Sequence, residues 1–415
     1  MQARSTFELP STDATANTGT PVEFKRPHYR VLDGIRGLAI IGVLFTHAAY
    51  VYESRVVVCL TELGWLGVDL FFVLSGFLIT GILIDTKSAV NRALSFYARR
   101  MLRIFPIYYL TIAVVLVAQM HWHWIAAAAE MPTLRTRLPY LFYYLNLVPL
   151  WNHGNAHQTL LEHFWSLAVE EQFYFVWPLV VWRLSTKGVY KLCGAALCFA
   201  LAVRIVAGAR FGFGAWLFFF PLTRADGLFV GSGLAALLAS KYRPSKRLLA
   251  AAGAAAGFGL LTIVAGAHLQ LLYGGNLMST YGLTCVAVLF GAFIAYSLLF
   301  HDDALPKAMN ARWLGTFGRY SYGMYVFHLP LYYLFDHLAR TYLSLTFPLP
   351  GFISVIYMGS LISVTFGVAW ISYNVFERRF LRLKDRFAPE FAAPALSAPA
   401  NTLPGGSLEI SLTHR

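Results

Sequence analysis

The chain has 415 residues, of which 58% are hydrophobic and only 13% are charged, and its formal net charge is +13. Soluble domains carry about a quarter charged residues and about half apolar ones, so this composition excludes an ordinary soluble protein. The basic residues lie between apolar runs, as membrane topology signals do, and we therefore expect membrane lipid and no nucleic acid as a partner.

Apolar runs along the chain predict the transmembrane helices, because a crossing helix needs about 20 mainly apolar residues. Such runs give ten spans, at 31–52, 64–84, 104–120, 164–182, 190–208, 214–238, 248–267, 277–300, 314–336 and 352–376. The apolar segment Leu138–Leu150 is too short to cross and is predicted to be interfacial or re-entrant. The fold class is therefore an all-α, polytopic transmembrane helix bundle of about ten spans.

Loop charges predict the direction of these spans, since short cytoplasmic loops are enriched in lysine and arginine. Lys25, Arg26 and Arg30 precede the first span, and Arg378 and Arg379 begin a basic stretch after the last one. Both termini are therefore predicted to be cytoplasmic. The chain is divided into a polar N-terminal tail (1–30), a transmembrane domain (31–386) and a disordered tail (387–415) rich in alanine, proline and serine.

The first span carries two ionisable residues, Arg36 and His47, which lie eleven positions apart. At about 100° and 1.5 Å per residue, both side chains lie on one helix face, about 16 Å apart along the axis. An ionisable residue at bilayer depth costs on the order of 2.5–3.5 kcal/mol, so each one is a candidate functional residue. Topology places Arg36 near the cytoplasmic end and His47 toward the outer end.

Three carboxylates are predicted at the depth of His47, which is about five residues from the outer end of its span. Asp69 lies about five residues below the outer start of the second span, and Glu170 and Glu171 lie about six below that of the fourth. A histidine oriented by a carboxylate is the arrangement that a general base requires. As a structural alternative, His47 is a hydrogen-bonded residue of helix packing, and one glutamate is neutral or paired with an arginine.

A second polar layer is predicted near the cytoplasmic surface. Arg100 and Arg103 share a face at the start of the third span, and with Arg36 they form a cationic group suited to phosphates. Alternatively, Arg100 and Arg103 are ordinary positive-inside anchors. We interpret Arg224 with Asp226 as a structural ion pair with other helices rather than as catalytic residues. The four cysteines have neither metal-ligand nor disulfide spacing, so no metal and no tightly bound cofactor is expected.

Two further residues are given structural interpretations. His328 in the ninth span is interpreted as a structural or supporting group. Ser75 is interpreted as a small residue for close helix packing rather than a nucleophile.

Several motifs in order along the chain resemble the membrane-bound acyltransferase family 3, whose members O-acetylate bacterial surface polysaccharides. They are RVLDGIRGLAI from Arg30, GVDLFFVLSGFLI from Gly67, YARRMLRIFP from Tyr97, FWSLAVEEQFY from Phe164 and GRYSYGMYVFH from Gly318. The resemblance covers roughly residues 29–386. The family's pattern of arginine, ten residues and histidine falls on Arg36 and His47, and its arginine pair falls on Arg100 and Arg103.

The resemblance implies a multi-pass enzyme of the bacterial inner membrane that moves an acyl group, usually acetyl, from cytoplasmic acyl-CoA to a hydroxyl of a carbohydrate. Relatives often carry an added extracytoplasmic esterase-like domain, which this chain is expected to lack. They often have a proline after the residue matching Glu377, where this chain has Arg378, so no role is assigned to Glu377.

The mechanism predicted from these two layers is an acyl-CoA track. The phosphates bind Arg36, Arg100 and Arg103, and His47 acts as the general base on the acceptor hydroxyl. A covalent acyl-histidine is the competing route. The alternative functions are a proton-coupled transporter, whose ion pathway the same buried charges would form, and a scaffold for glycan-assembly enzymes. The sequence leaves open which carbohydrate or lipid-linked glycan is the acceptor, and also the oligomeric state.

Overall fold

The computed structural model describes residues 29–125, 133–150, 159–212, 215–266 and 277–391. The first half contains α1 (Arg30–Thr46), α2 (Arg55–Glu62), α3 (Leu66–Asp85), α4 (Arg92–His121), α5 (Leu134–Leu141), α6 (Phe164–Arg183) and α7 (Thr186–Phe211). The second half contains α8 (Ala215–Phe219), α9 (Pro221–Arg224), α10 (Asp226–Ala239), α11 (Lys246–Gly266), α12 (Leu283–Leu299), α13 (Ala304–Met309), α14 (Arg312–Leu343), α15 (Gly351–Ser372) and α16 (Arg378–Arg382). These residues form no strand, which confirms the all-α prediction.

Five helical runs are long and apolar enough to cross a membrane, judged by length and composition. They are Arg55–Asp85, Arg92–His121, Thr186–Phe211, Met278–Leu299 and Gly351–Phe387. Of the other helices predicted to cross, α1 has 17 residues and α6 carries Glu170 and Glu171 within an otherwise apolar sequence. Ten spans and cytoplasmic termini therefore stay predictions.

The helix pair α1 and α14 forms the centre of the bundle and runs parallel. A Cβ atom at Gly318 of α14 would lie 1.8 Å from the carbonyl oxygen of Asp33 on α1, so the two backbones touch at the first turns. Further along, the Tyr332 hydroxyl donates to the Leu44 carbonyl oxygen at 3.2 Å. This contact brings the middle of α14 to the end of α1, where His47 lies.

The helices α3 and α10 form a second close, parallel pair beside α1. A Cβ atom at Gly231 would lie 2.0 Å from the Val73 carbonyl oxygen, and the Thr80 hydroxyl donates to Ser232 at 2.7 Å. The antiparallel packing of α3 on α1 is equally close, since a Cβ atom at Gly67 would lie 2.3 Å from the carbonyl oxygen of α1 residue Ala39. Small residues thus let these backbones approach, as membrane helices require.

The predicted first span, 31–52, is longer than the helix that the structure contains. Helix α1 ends at Thr46, His47 is its C-cap, and Ala48 leaves the helical region with φ −117° and ψ 17°. A short 3₁₀ turn, Ala49–Val51, follows. Hydropathy could not locate this end because the turn is as apolar as the helix.

The segment Leu138–Leu150 contains the end of α5 and a 3₁₀ turn, Leu145–Leu150, and no crossing helix. The predicted tails 1–30 and 387–415 lie outside the described residues except at their inner ends. At the inner end of the C-terminal tail, Glu390 is hydrogen-bonded through its backbone to Val90 and Asn91.

Candidate active site

The three predicted arginines gather at one end of the bundle. Arg36, Arg100 and Arg103 lie close enough for their positive charges to repel one another, and we call them the arginine cluster. Arg36 donates to Asp33, one turn earlier on α1, at 3.3 Å. Asp33 was not among the predicted site residues, although it shares a helix face with Arg36. Arg36 and Arg100 are partly buried and Arg103 is exposed, so three like charges that solvent can reach form a candidate site for an anion.

Glu170 and Glu171 lie beside this arginine cluster. Both carboxylates interact electrostatically with Arg100, whose guanidinium lies 4.2 Å from the centre of the Tyr174 ring. Glu170 accepts hydrogen bonds from Ser75 at 2.9 Å and from Tyr174 at 2.8 Å. Glu171 Oε1 is buried and has no hydrogen-bond partner among the described residues. The pair therefore partly offsets the arginine charge.

Two more charged residues reach the arginine cluster from the C-terminal end of the chain. Glu377 interacts with Arg103, and its carboxylate accepts a hydrogen bond from Ser372 at 3.2 Å. Lys384 lies near Arg100 and Arg103. No role was assigned to Glu377 from the sequence, and Lys384 belongs to the basic stretch that follows the last predicted span. Sequence spacing could not predict these contacts, because Glu377 and Lys384 come about 280 positions after the arginine pair.

His47 is anchored by its own helix. Its Nδ1 atom lies 2.9 Å from the Val43 carbonyl oxygen. Because a carbonyl oxygen can only accept, the ring proton belongs on Nδ1, and Nε2 keeps the lone pair that a general base uses. A backbone carbonyl thus orients this histidine in the way that a carboxylate does at other sites.

Asp69 makes its contacts elsewhere. Its two oxygens accept hydrogen bonds from Arg224 at 2.6 and 3.0 Å, and both side chains are almost fully buried. The Arg224 guanidinium also lies 4.4 Å from the centre of the Phe218 ring. The predicted layer of one histidine and three carboxylates is therefore divided, with Asp69 in an ion pair and the two glutamates near Arg100. Counting residues from a helix end gives depth, but not which way a side chain points within the bundle.

Arg224 and Asp226 form salt bridges with two other helices, in agreement with their interpretation as structural ion-pair residues, and they do not pair with each other. Asp226 pairs with Arg204 of α7 through two hydrogen bonds of 2.6 and 2.7 Å. Arg204 also donates to the carbonyl oxygens of Thr280 and Thr223 and to the Thr284 hydroxyl. Because Arg224 and Asp226 are adjacent to the helix break at Ala225, their side chains go to different neighbours.

His328 packs on His47, and His163 packs on His328. The ring centre of His328 lies 4.8 Å from that of His47, and the ring centre of His163 lies 4.7 Å from that of His328. We call these three residues the histidine cluster. His163 was missed, since it immediately precedes α6 and counted as part of a loop. His328 is fully buried, which agrees with the interpretation as a structural or supporting group.

The arrangement combines an oriented base at the end of α1 with an anion site that includes Arg36 near the start of the same helix. The arginine cluster could hold the phosphates of a co-substrate, and His47 lies about 16 Å further along the helix axis. Among the described residues, no group of three or more histidine, cysteine or acidic side chains is placed to hold a metal ion. Such a pair of sites suits the transfer of a group from a long anionic donor.

The sequence model of an acyltransferase domain matches residues 29–374. The chain belongs to this acyltransferase family. The matched region contains the histidine cluster and the arginine cluster. Members of this family are integral membrane proteins, and the apolar helices agree with a multi-pass protein of the cell membrane.

Three relatives of this acyltransferase are informative. It is 30% identical over 336 residues to the peptidoglycan O-acetyltransferase OatA of Listeria monocytogenes, covering 74% of this chain and 50% of that one. It is 27% identical over 319 residues to the O-acetyltransferase OatA of Staphylococcus aureus, covering 72% and 50%. It is 28% identical over 332 residues to the putative peptidoglycan O-acetyltransferase YrhL of Bacillus subtilis, covering 74% and 49%.

The acyltransferase therefore spans about half the length of these relatives. No solved structure matches it. The family assignment supports an enzyme and lends no support to the transporter or scaffold alternatives.

Proposed function

We propose that this chain is a membrane O-acetyltransferase that acetylates a hydroxyl of a cell-wall glycan, with peptidoglycan as the candidate acceptor. Two relatives that are named as peptidoglycan O-acetyltransferases support a cell-wall glycan as the acceptor. The observation that carries the chemistry is the hydrogen bond from His47 Nδ1 to the Val43 carbonyl oxygen, since it leaves Nε2 as a base.

Acetyl-CoA is the proposed donor, used as a co-substrate and not held as a bound cofactor. Its phosphates would bind Arg36, Arg100 and Arg103, because guanidinium groups form paired hydrogen bonds with phosphate oxygens. The spacing of about 16 Å to His47 is comparable to the reach of a pantetheine arm. This orientation requires the arginine cluster to face the cytoplasm, in agreement with the predicted ten spans and cytoplasmic termini.

One base is sufficient for the proposed acetyl transfer, because it takes up the proton of the acceptor hydroxyl and later releases it to the leaving group. The acceptor oxygen attacks the thioester carbonyl while its proton moves to His47 Nε2. The carbon–sulfur bond then breaks, the acetyl ester forms, and the proton passes from His47 to the departing thiolate. The competing route begins with attack of His47 Nε2 itself on the thioester, which gives an acetyl-histidine that the acceptor hydroxyl then cleaves.

The decisive variant is His47→Asn in purified protein reconstituted in liposomes with labelled acetyl-CoA and soluble peptidoglycan fragments. The asparagine amide reaches the position of Nδ1 and retains the bond to Val43, while the base is removed. We expect transfer to fall about 10²- to 10⁴-fold, the usual contribution of a general base, with the melting temperature unchanged. His301→Asn, at an exposed loop position, is the matched control and should retain full activity.

Full transfer by His47→Asn would exclude both routes. Label that stays on the wild-type protein in the absence of acceptor, and not on His47→Asn, would select the acetyl-histidine route. Mass spectrometry of peptidoglycan from cells that express each variant tests the acceptor, since acetyl content should follow activity.

A further inference from the structure

Each ring of the histidine cluster has its proton fixed by a backbone carbonyl. His328 Nδ1 lies 2.6 Å from the Tyr325 oxygen, and His163 Nε2 lies 3.3 Å from the Val326 oxygen. His47 Nδ1 is bound to its own helix in the same way. Because carbonyl oxygens only accept, the opposite nitrogen of every ring carries a lone pair.

Two of these lone pairs are buried without a donor. His328 Nε2 and His163 Nδ1 have no hydrogen-bond partner among the described residues, and the two residues are 0% and 2% exposed. The hydroxyl groups beside them are committed elsewhere, since Tyr325 donates to the His163 carbonyl oxygen and Tyr332 to that of Leu44. An unsatisfied buried acceptor costs about 1–3 kcal/mol, and such groups call for a functional explanation.

The rings are close enough to cooperate. Their centres are separated by 4.8 Å between His47 and His328 and by 4.7 Å between His328 and His163, with edge-to-face angles of 67° in both cases. No direct hydrogen bond to His328 Nε2 or His163 Nδ1 is made by the described residues, and at this spacing one water can bridge nitrogens of neighbouring rings. His47 is half-buried, whereas His163 and His328 are fully buried.

We propose that His328 and His163 are positioning residues that share the proton taken up by His47. The inference rests on the proposed function, in which His47 Nε2 removes the proton of the acceptor hydroxyl. The resulting N–H of His47 reaches the lone pair of His328 through one water, and the His163 ring packs against that of His328. When the thiolate leaves, the same proton returns through His47 to sulfur, so the cluster ends each cycle unchanged.

Asparagine and glutamine variants separate the two nitrogens of each ring. An asparagine amide reaches the position of Nδ1, and a glutamine amide reaches that of Nε2. His328→Asn therefore keeps the bond to the Tyr325 carbonyl and loses the acceptor at Nε2, whereas His328→Gln keeps an acceptor there. At His163 the roles are reversed, with His163→Gln losing the acceptor and His163→Asn keeping it.

The measurements are kcat and KM for acetyl-CoA in liposomes, together with the melting temperature of each purified variant. We expect His328→Asn to lower kcat about tenfold to a hundredfold, a fraction of what a general base contributes, with KM and melting temperature unchanged. His328→Gln should recover most of that loss. His163→Gln should show a smaller loss of kcat than His328→Asn, and His163→Asn should recover it.

Equal losses in the asparagine and glutamine variants, accompanied by lower melting temperatures, would overturn the inference, because a packing role predicts that pattern. So would wild-type kcat in His328→Asn. If His47→Asn loses transfer while all four variants retain it, the proposed function stands and the shared proton does not. If His47→Asn retains transfer, both fail.

Discussion

Two buried polar regions of this acyltransferase differ in how completely their groups are paired. Around Arg204, all five guanidinium N–H groups have acceptors, and both oxygens of Asp226 are used. By contrast, Arg100 Nε of the arginine cluster, Glu171 Oε1 beside it, and His163 Nδ1 and His328 Nε2 of the histidine cluster are buried without partners among the described residues.

The difference indicates what each region is for. A buried ion pair with every hydrogen bond made is a structural connection between helices, and removing one partner leaves an uncompensated charge. Incomplete pairing costs free energy unless a substrate supplies the missing groups. We therefore expect variants in the Arg204 network to change stability, and variants in the two clusters to change kinetics.

The largest effect on stability is expected from Arg204→Met, which leaves Asp226 buried and unpaired. The loss should be about 3–5 kcal/mol, as for other broken buried pairs, and is measured by thermal unfolding in detergent. Arg210→Met is the matched control, since Arg210 is exposed on the same helix. An Arg204→Met variant as stable as this control would remove the distinction between the two regions.

A smaller loss of stability is expected from Asp69→Asn, because the aromatic rings around Arg224 still contact its guanidinium group. Hydrogen bonds to a charged group are worth about 1.5–3 kcal/mol, and kcat per folded molecule should stay within about threefold if Asp69 has no part in general-base catalysis. The measurement pairs a melting curve with the rate of acetyl transfer. A large fall in kcat without destabilisation would restore Asp69 to the catalytic group predicted from the sequence.

The double variant Arg100→Gln, Arg103→Gln tests the anion site. We expect KM for acetyl-CoA to rise at least about tenfold, because each charge-assisted hydrogen bond contributes about 1.5–3 kcal/mol. The melting temperature is recorded beside KM, because the variant removes both the repulsion among the arginines and their attraction to the neighbouring glutamates. Arg183→Gln with Lys187→Gln removes two exposed charges elsewhere and should leave KM unchanged. Equal effects in both double variants would favour simple topology anchors.

The smallest effect is expected from Glu377→Gln. Glu377 interacts with Arg103 and so competes with phosphate for that side chain. Removing the carboxylate charge should lower KM for acetyl-CoA about twofold to threefold, the scale of a partly screened charge interaction. A rise in KM would show that Glu377 holds Arg103 in its binding position.

The sequence by itself determined the all-helical architecture, the membrane environment and the family. Long apolar runs allow few alternatives to helices in lipid, where backbone groups must pair within the helix. The sequence also predicted the grouping of Arg36, Arg100 and Arg103. Helix periodicity places Arg100 and Arg103 on one helix face, and the loop charges place all three arginines at one depth.

Only the tertiary structure decided which polar groups meet. Depth along a span follows from residue number, but direction around the bundle follows from how helices pack, and that depends on close contacts such as Gly318 against Asp33. For this reason Asp69 meets Arg224, the two glutamates lie near Arg100, and His163 and His328 pack beside His47. The residues that accompany the predicted base come from distant parts of the chain, and no periodicity within one helix could identify them.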